Sequence, residues 1–94
     1  MQMAKVIVIK EDKTMEAFDR DILTSSIEDS FKVSETGFSA SLLGMLTDEV
    51  ITKLITIGTE LYGEDIYHAV LDTLEENGYD EVAKIYQLRH RKEG

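Results

Sequence analysis

A chain of 94 residues, 43% of them apolar, holds one domain with one modest core and is too apolar for a disordered tail. Its formal net charge of −9 argues against nonspecific nucleic-acid binding and against anionic membrane surfaces, both of which favour basic proteins. Without cysteine there is no disulfide, no thiolate metal site and no cysteine nucleophile; no stretch has the form of a signal peptide or approaches the ~20 apolar residues of a membrane span, which is compatible with a cytoplasmic protein.

Met1 to Ala4 read as a frayed lead-in. Val6, Ile7, Val8 and Ile9 form a β-branched apolar run that suits a strand better than a helix. After a charged turn, Lys10-Glu11-Asp12-Lys13, the stretch Met15-Glu16-Ala17-Phe18 can pair back on it. Asp19 is a natural N-cap, because its carboxylate can accept from the free amides of the turn that follows. The first helix is expected over residues 19–31, with Leu23, Ile27 and Phe31 on one face, and a polar loop over 33–37.

A short second helix is expected over 39–46, burying Leu42, Leu43, Met45 and Leu46, with Thr47-Asp48 as the cap that restarts the chain. A third carries the stripe Val50, Ile51, Leu54 and Ile55 and stops at Gly58. Residues 59–63 then cross to a fourth helix over 64–76 with Ile66, Val70 and Leu74 inward. Asn77-Gly78 is a C-terminal stop, and Asp80 is expected to cap a fifth helix with Val82, Ile85, Tyr86 and Arg89 on its inner face. The fold expected is a single α+β, mainly helical domain over residues 1–94: an N-terminal β-hairpin packed on a four- or five-helix bundle.

Few residues carry obvious chemistry. His68 and His90 are far apart; Asp65 and His68 stand at i, i+3, a pair common by chance, so no metal site of the chain's own is expected. There is no Ser/His/Asp arrangement and no Gly-rich phosphate loop, which points away from an enzyme. The carboxylate pairs Glu28-Asp29 and Glu75-Glu76 read as solvated helix faces. Lys84, Arg89, His90, Arg91 and Lys92 form the one basic cluster, either complementing a helix C-terminus, at ~0.3–1 kcal/mol per cation, or meeting an anion.

Both ends of the chain carry a family pattern. Val6 to Ile9, the Lys10–Lys13 turn and Phe18-Asp19-Arg20-Asp21-Ile22-Leu23 open it; Glu75-Glu76-Asn77-Gly78-Tyr79 followed by Val82-Ala83-Lys84-Ile85-Tyr86-Gln87-Leu88-Arg89-His90 closes it. In this the sequence resembles the ATP-cone domain, the regulatory nucleotide-binding module found at the N-terminus of many ribonucleotide reductases and in the repressor of their genes. The resemblance implies a purine nucleotide, ATP or dATP with or without magnesium, sensed on behalf of a protein partner or of the chain's own oligomeric state. It gives Lys10 a phosphate role, and His90 or Arg91 another where the last helix returns after Arg89. It places Val8, Glu16, Asp19 and Ile66 around base and ribose, with Glu16 able to accept from an adenine amino group. Tyr67 either stacks on a base or packs on the bundle.

Three positions depart from the pattern. Glu11 stands where the family has arginine, Ile22 where it has lysine, and Lys13 where it has glycine. Lys13 implies a longer, looser hairpin, the reading preferred here, or a left-handed residue strained by roughly 1 kcal/mol. Lys10 then reads either as the kept phosphate ligand or as a solvated strand-end lysine. Glu11 and Ile22 keep a second reading open, a degenerate cone that no longer binds nucleotide and serves protein interaction or dimerisation. Met1 and a length closing on Gly94 favour a free-standing chain.

Overall fold

The computed structural model describes residues 7–9, 13 and 15–90. In chain order these form β1 (Ile7–Ile9), β2 (Met15–Ala17), α1 (Arg20–Ser34), α2 (Ala40–Ile57), β3 (Glu60–Tyr62), α3 (Gly63–Glu76) and α4 (Asp80–His90). The mainly helical α+β expectation holds, with four helices among the described residues and a three-stranded sheet. No described helix is long and apolar enough to cross a membrane.

Local chemistry starts and stops these elements. Asp19 is the N-cap of α1: its Oδ1 accepts from the Asp21 amide at 2.9 Å and from the Ile22 amide at 3.4 Å. The helix runs past Phe31 to Ser34 and closes on Glu35, whose left-handed φ of 59° lets its amide turn back to the Lys32 carbonyl. Ser39 caps α2 by accepting from the Leu42 amide at 3.1 Å. Gly78, at φ 85°, ends the turn after α3. Asp80 is the first residue of α4, whose opening turn is closed by the Ala83 amide on the Tyr79 carbonyl.

The expected break at Thr47-Asp48 is absent, and α2 is one continuous helix. Thr47 is fully buried, and its hydroxyl meets that of Thr24 at 2.9 Å across the α1–α2 contact. A side chain that would have capped a helix instead satisfies a hydroxyl inside the bundle. Asp48, expected to share the cap, pairs outward with Arg20. The buried stripe of the long helix is Leu43, Leu46, Thr47, Val50 and Leu54. Met45 and Ile55 fall off that stripe, so both are exposed, at 42% and 62%, rather than in the core.

The helices form a closed ring in which α1 meets α2 and α4, and α3 meets the same two. Phe31 near the end of α1 packs edge-on against Tyr79, just before α4, with ring centroids 5.2 Å apart. The hydroxyl of Ser26, further back on α1, reaches His90 at the end of α4. The two helices therefore run antiparallel, and α4 returns its C-terminal turn toward the start of α1.

The crossing over residues 59–63 holds a strand that the sequence reading missed. β3 pairs parallel to β1, giving the order β2-β1-β3, with Val8 opposite Glu16 on one side and Leu61 on the other. Leu61 is fully buried in the core, so the row Leu61–Val8–Glu16 faces the helices. Along that row burial fades from Leu61 through half-buried Val8 to exposed Glu16. The expected hairpin is present; β3 joins it to the core, and the described sheet stands progressively clearer toward β2. In the hairpin itself Ile9 pairs with Met15, leaving residues 10–14 as the connection, and Lys13 has a φ of 70°. Lys13 takes the left-handed conformation that the family's glycine would adopt more easily, the alternative to the looser hairpin preferred above.

Two substitutions check this account. Leu61→Ala removes the sheet's anchor and should lower stability by about 2–5 kcal/mol in urea unfolding. It should also speed hydrogen exchange at the Ile7 amide, which donates to the Thr59 carbonyl at 2.8 Å. Thr73 is fully buried with a hydroxyl that has no hydrogen-bond partner. Thr73→Val should therefore leave stability unchanged or raise it by about 1 kcal/mol.

Candidate functional site

The site residues expected from the sequence fall into two groups. The first lies where the sheet meets α3. Val8 and Glu16 are directly paired on the helix-facing side of β1 and β2. Ile66 and Tyr67 follow immediately after β3, in the first turns of α3, both half-buried against the core. The turn that starts α3 is fixed by the Tyr62 amide donating to the Asp65 carboxylate at 2.9 Å. Apolar Val8, Ile66 and the ring of Tyr67 are the kind of surface that receives a planar base.

The second group lies where α4 returns to α1. A shallow cleft there is lined by Asp21, Ile22, Ser26, Asp29, Arg89 and His90. Ile22 is 67% exposed at its edge. Arg89, expected on the inner face of α4, is exposed and forms a 3.9 Å ion pair with Asp29. The His90 ring stacks on Tyr86 at 4.1 Å, and its Nε2 meets the Ser26 hydroxyl at 3.0 Å. Asp19 borders this end as the cap of α1. Lys10 and Arg91, the other two expected phosphate ligands, lie outside the described residues, as does Glu11.

A run of rings joins the groups. Tyr67 stacks with Tyr86 at 6.0 Å, Tyr86 with His90 at 4.1 Å, and Tyr67 meets His68 edge-on at 5.3 Å. Of the two roles open to Tyr67, the structure displays packing against another ring. Ser26 is the residue that sequence reasoning missed: it bonds His90, and its hydrogen bond partly offsets the burial that pushes the Tyr86 phenol above its ordinary pKa. Its signal was spacing, since Ser26 lies one turn after Ile22 on the same face of α1.

The electrostatics of the cleft follow from these contacts. Burial holds the His90 imidazole below its ordinary value; the Arg89 guanidinium adds to this and Asp29 opposes it. The net shift favours the uncharged ring. Arg89 is the remaining cation among the cleft residues, against the two carboxylates Asp21 and Asp29. The free amides at the start of α1, a ready anion site in many helices, already face the Asp19 carboxylate. Among the described residues no group of three or more His, Asp or Glu side chains could hold a metal ion.

In a comparison with known families, the model of the ATP cone domain matches residues 6–93, nearly the whole chain. No curated protein matches the chain significantly.

The pH dependence of stability tests the His90 environment. Its folded pKa is lowered, so on acidification the unfolded chain takes the proton first. The stabilising contribution is full above about pH 6.5, the ordinary histidine value, and falls as the pH drops from there toward the folded value. Replacing His90 by Gln removes that titration. In urea unfolding from pH 7 to pH 5, the natural chain should lose more stability than His90→Gln; parallel losses would mean that His90 is solvated.

Proposed function

The chain belongs to the ATP-cone family, and from that premise we propose that it is a regulatory module that binds a purine nucleotide and passes the bound state to a protein partner or to its own oligomeric state. The observation that carries this reading is a family match running from β1 to the end of α4, which includes every element on which the candidate site is built. ATP and dATP are the ligands that the family pattern suggests, with any magnesium arriving on the nucleotide. In this reading the base lies against Val8, Ile66 and Tyr67, with Glu16 accepting from its amino group and Asp19 near the ribose. The phosphates point toward Arg89, His90, Arg91 and Lys10. The chain works as a binding module of the cytoplasm, with no reaction of its own and no contact with nucleic acid or membrane.

One observation favours a second reading. Ile22 presents an apolar side chain, 67% exposed, where the family has a lysine. Beside an arginine already paired with Asp29, that edge suits contact with a protein as well as contact with a phosphate. In this reading the cone is an interaction or dimerisation domain that has lost its nucleotide.

A two-dimensional NMR titration with adenine nucleotides, with and without magnesium, separates the two. The regulatory reading predicts saturable shifts at Val8, Glu16, Ile66 and the Arg89–His90 helix end. Flat spectra to millimolar concentration across the whole panel would overturn it in favour of protein interaction. Under the nucleotide reading, the pair Glu11→Arg with Ile22→Lys should tighten ATP binding by about tenfold or more, as expected of added charge-assisted contacts.

A further inference from the structure

We infer that α2 pairs antiparallel with α2 of a second copy of this chain, Ile55 of each copy seating in a hole beside Gly44 of the other. The inference rests on the branch of the reading above in which the chain acts through its own oligomeric state, and it assigns the surface; it needs no particular nucleotide. Ser41, Met45, Asp48, Thr52 and Ile55 are all exposed, and they follow one another along α2 at spacings of four, three, four and three residues. That is the heptad spacing along which two helices share a seam. It lies on the side of α2 away from the buried Leu43, Leu46, Val50 and Leu54, so the ring of helices does not use it. Met45 and Ile55 put large apolar side chains into water there.

The stripe supplies both halves of an isologous contact. A shallow groove along this face is lined by Ser41, Gly44, Met45 and Asp48. These stand at i, i+3, i+4 and i+7, the set that receives one knob from a facing helix. A Cβ added at Gly44 would meet nothing within 4 Å, so the hole is open. With the two-fold axis beside residue 50, Ile55 of the second copy faces Met45 and enters this hole, and symmetry repeats the contact. Between the two apolar layers Asp48 faces Thr52 of the second copy, so no carboxylate stands directly opposite another. Charge allows this face and disfavours others. A chain of net charge −9 repels itself over surfaces such as the outward side of α3, where Glu64, Asp72 and Glu75 are exposed. Along α2 the charges are matched within the chain: Asp48 pairs with Arg20, and Lys53 with Glu76 at 2.7 Å. At 18 residues α2 is about 27 Å long, so the contact is small and the dimer weak and reversible.

The test is equilibrium sedimentation of the full chain from about 10 μM to about 1 mM, with and without ATP, beside the variants Met45→Lys and Ile55→Glu. The natural chain should form a dimer as concentration rises. Each variant should weaken it by about tenfold or more, because symmetry puts every substitution into both apolar layers. Mixed in equal amounts, the two variants should regain at least about threefold, since lysine then faces glutamate in one layer and Met45 faces Ile55 in the other. Gly44→Met, which fills the hole without adding charge, should weaken the dimer as the charged variants do. A natural chain that stays monomeric to about 1 mM in both conditions would overturn the inference. So would a dimer that these variants leave intact, or charged variants that regain nothing on mixing. A dimer in a chain that binds no nucleotide would uphold the inference and overturn the nucleotide reading; nucleotide binding by a strict monomer would do the reverse.

Discussion

Helix α4 runs back along α1, and the side chains that meet at its end already have partners. Arg89 reaches Asp29, the His90 ring lies on Tyr86, and its Nε2 meets Ser26. This seam sets the ring of four helices, because Phe31 and Tyr79 close its other end and Ile27, between Ser26 and Phe31 in sequence, lies fully buried. It also sets the chemistry at its mouth. Groups that would be free to meet a ligand on a loose helix end are here part of the packing. Among the described residues of the cleft, Arg89 is the one permanent cation, beside Asp21 and Asp29.

The sheet is the other half of the site, and it depends on one residue. Leu61 carries β3 into the core, β3 holds β1 by parallel pairing, and β1 holds the hairpin. Three-residue strands supply too few ladder hydrogen bonds to stand alone, so the burial of Leu61 is what gives the sheet its place. Because that anchor sits at one edge, Val8 and Glu16 are presented toward the helices without being packed into them.

Much of this was legible in the sequence, and the misses have physical causes. Asp19 as a cap, the Leu23–Ile27–Phe31 face and the stops at Gly58 and Gly78 are local effects, written in adjacent residues. The single helix α2 was misread because Thr47-Asp48 has the chemistry of a cap; only the partner hydroxyl on Thr24, distant in sequence, shows why threonine belongs inside. β3 was missed because its partner strand lies far back in the chain, and one apolar residue between Glu60 and Tyr62 gives no period to detect. The family pattern gave Arg89 and His90 an expected ligand role, yet their engagement with Asp29 and Ser26 exists only once α1 and α4 are side by side. The departures at Glu11 and Ile22 were visible from the start, and at Ile22 the structure adds a cleft whose permanent cation among the described residues, Arg89, is paired with Asp29.

The central claim is that this cone keeps its base-binding shelf. The most direct measurement is a set of intermolecular nuclear Overhauser effects between the H2 and H8 protons of bound adenine and the methyl groups of the protein. The account predicts contacts to Val8 and Ile66, with ring-current shifts at Tyr67. Contacts confined to another face, such as the exposed side of α2 around Met45, would contradict it, because the ligand would then bind a surface that the family fold does not build for it.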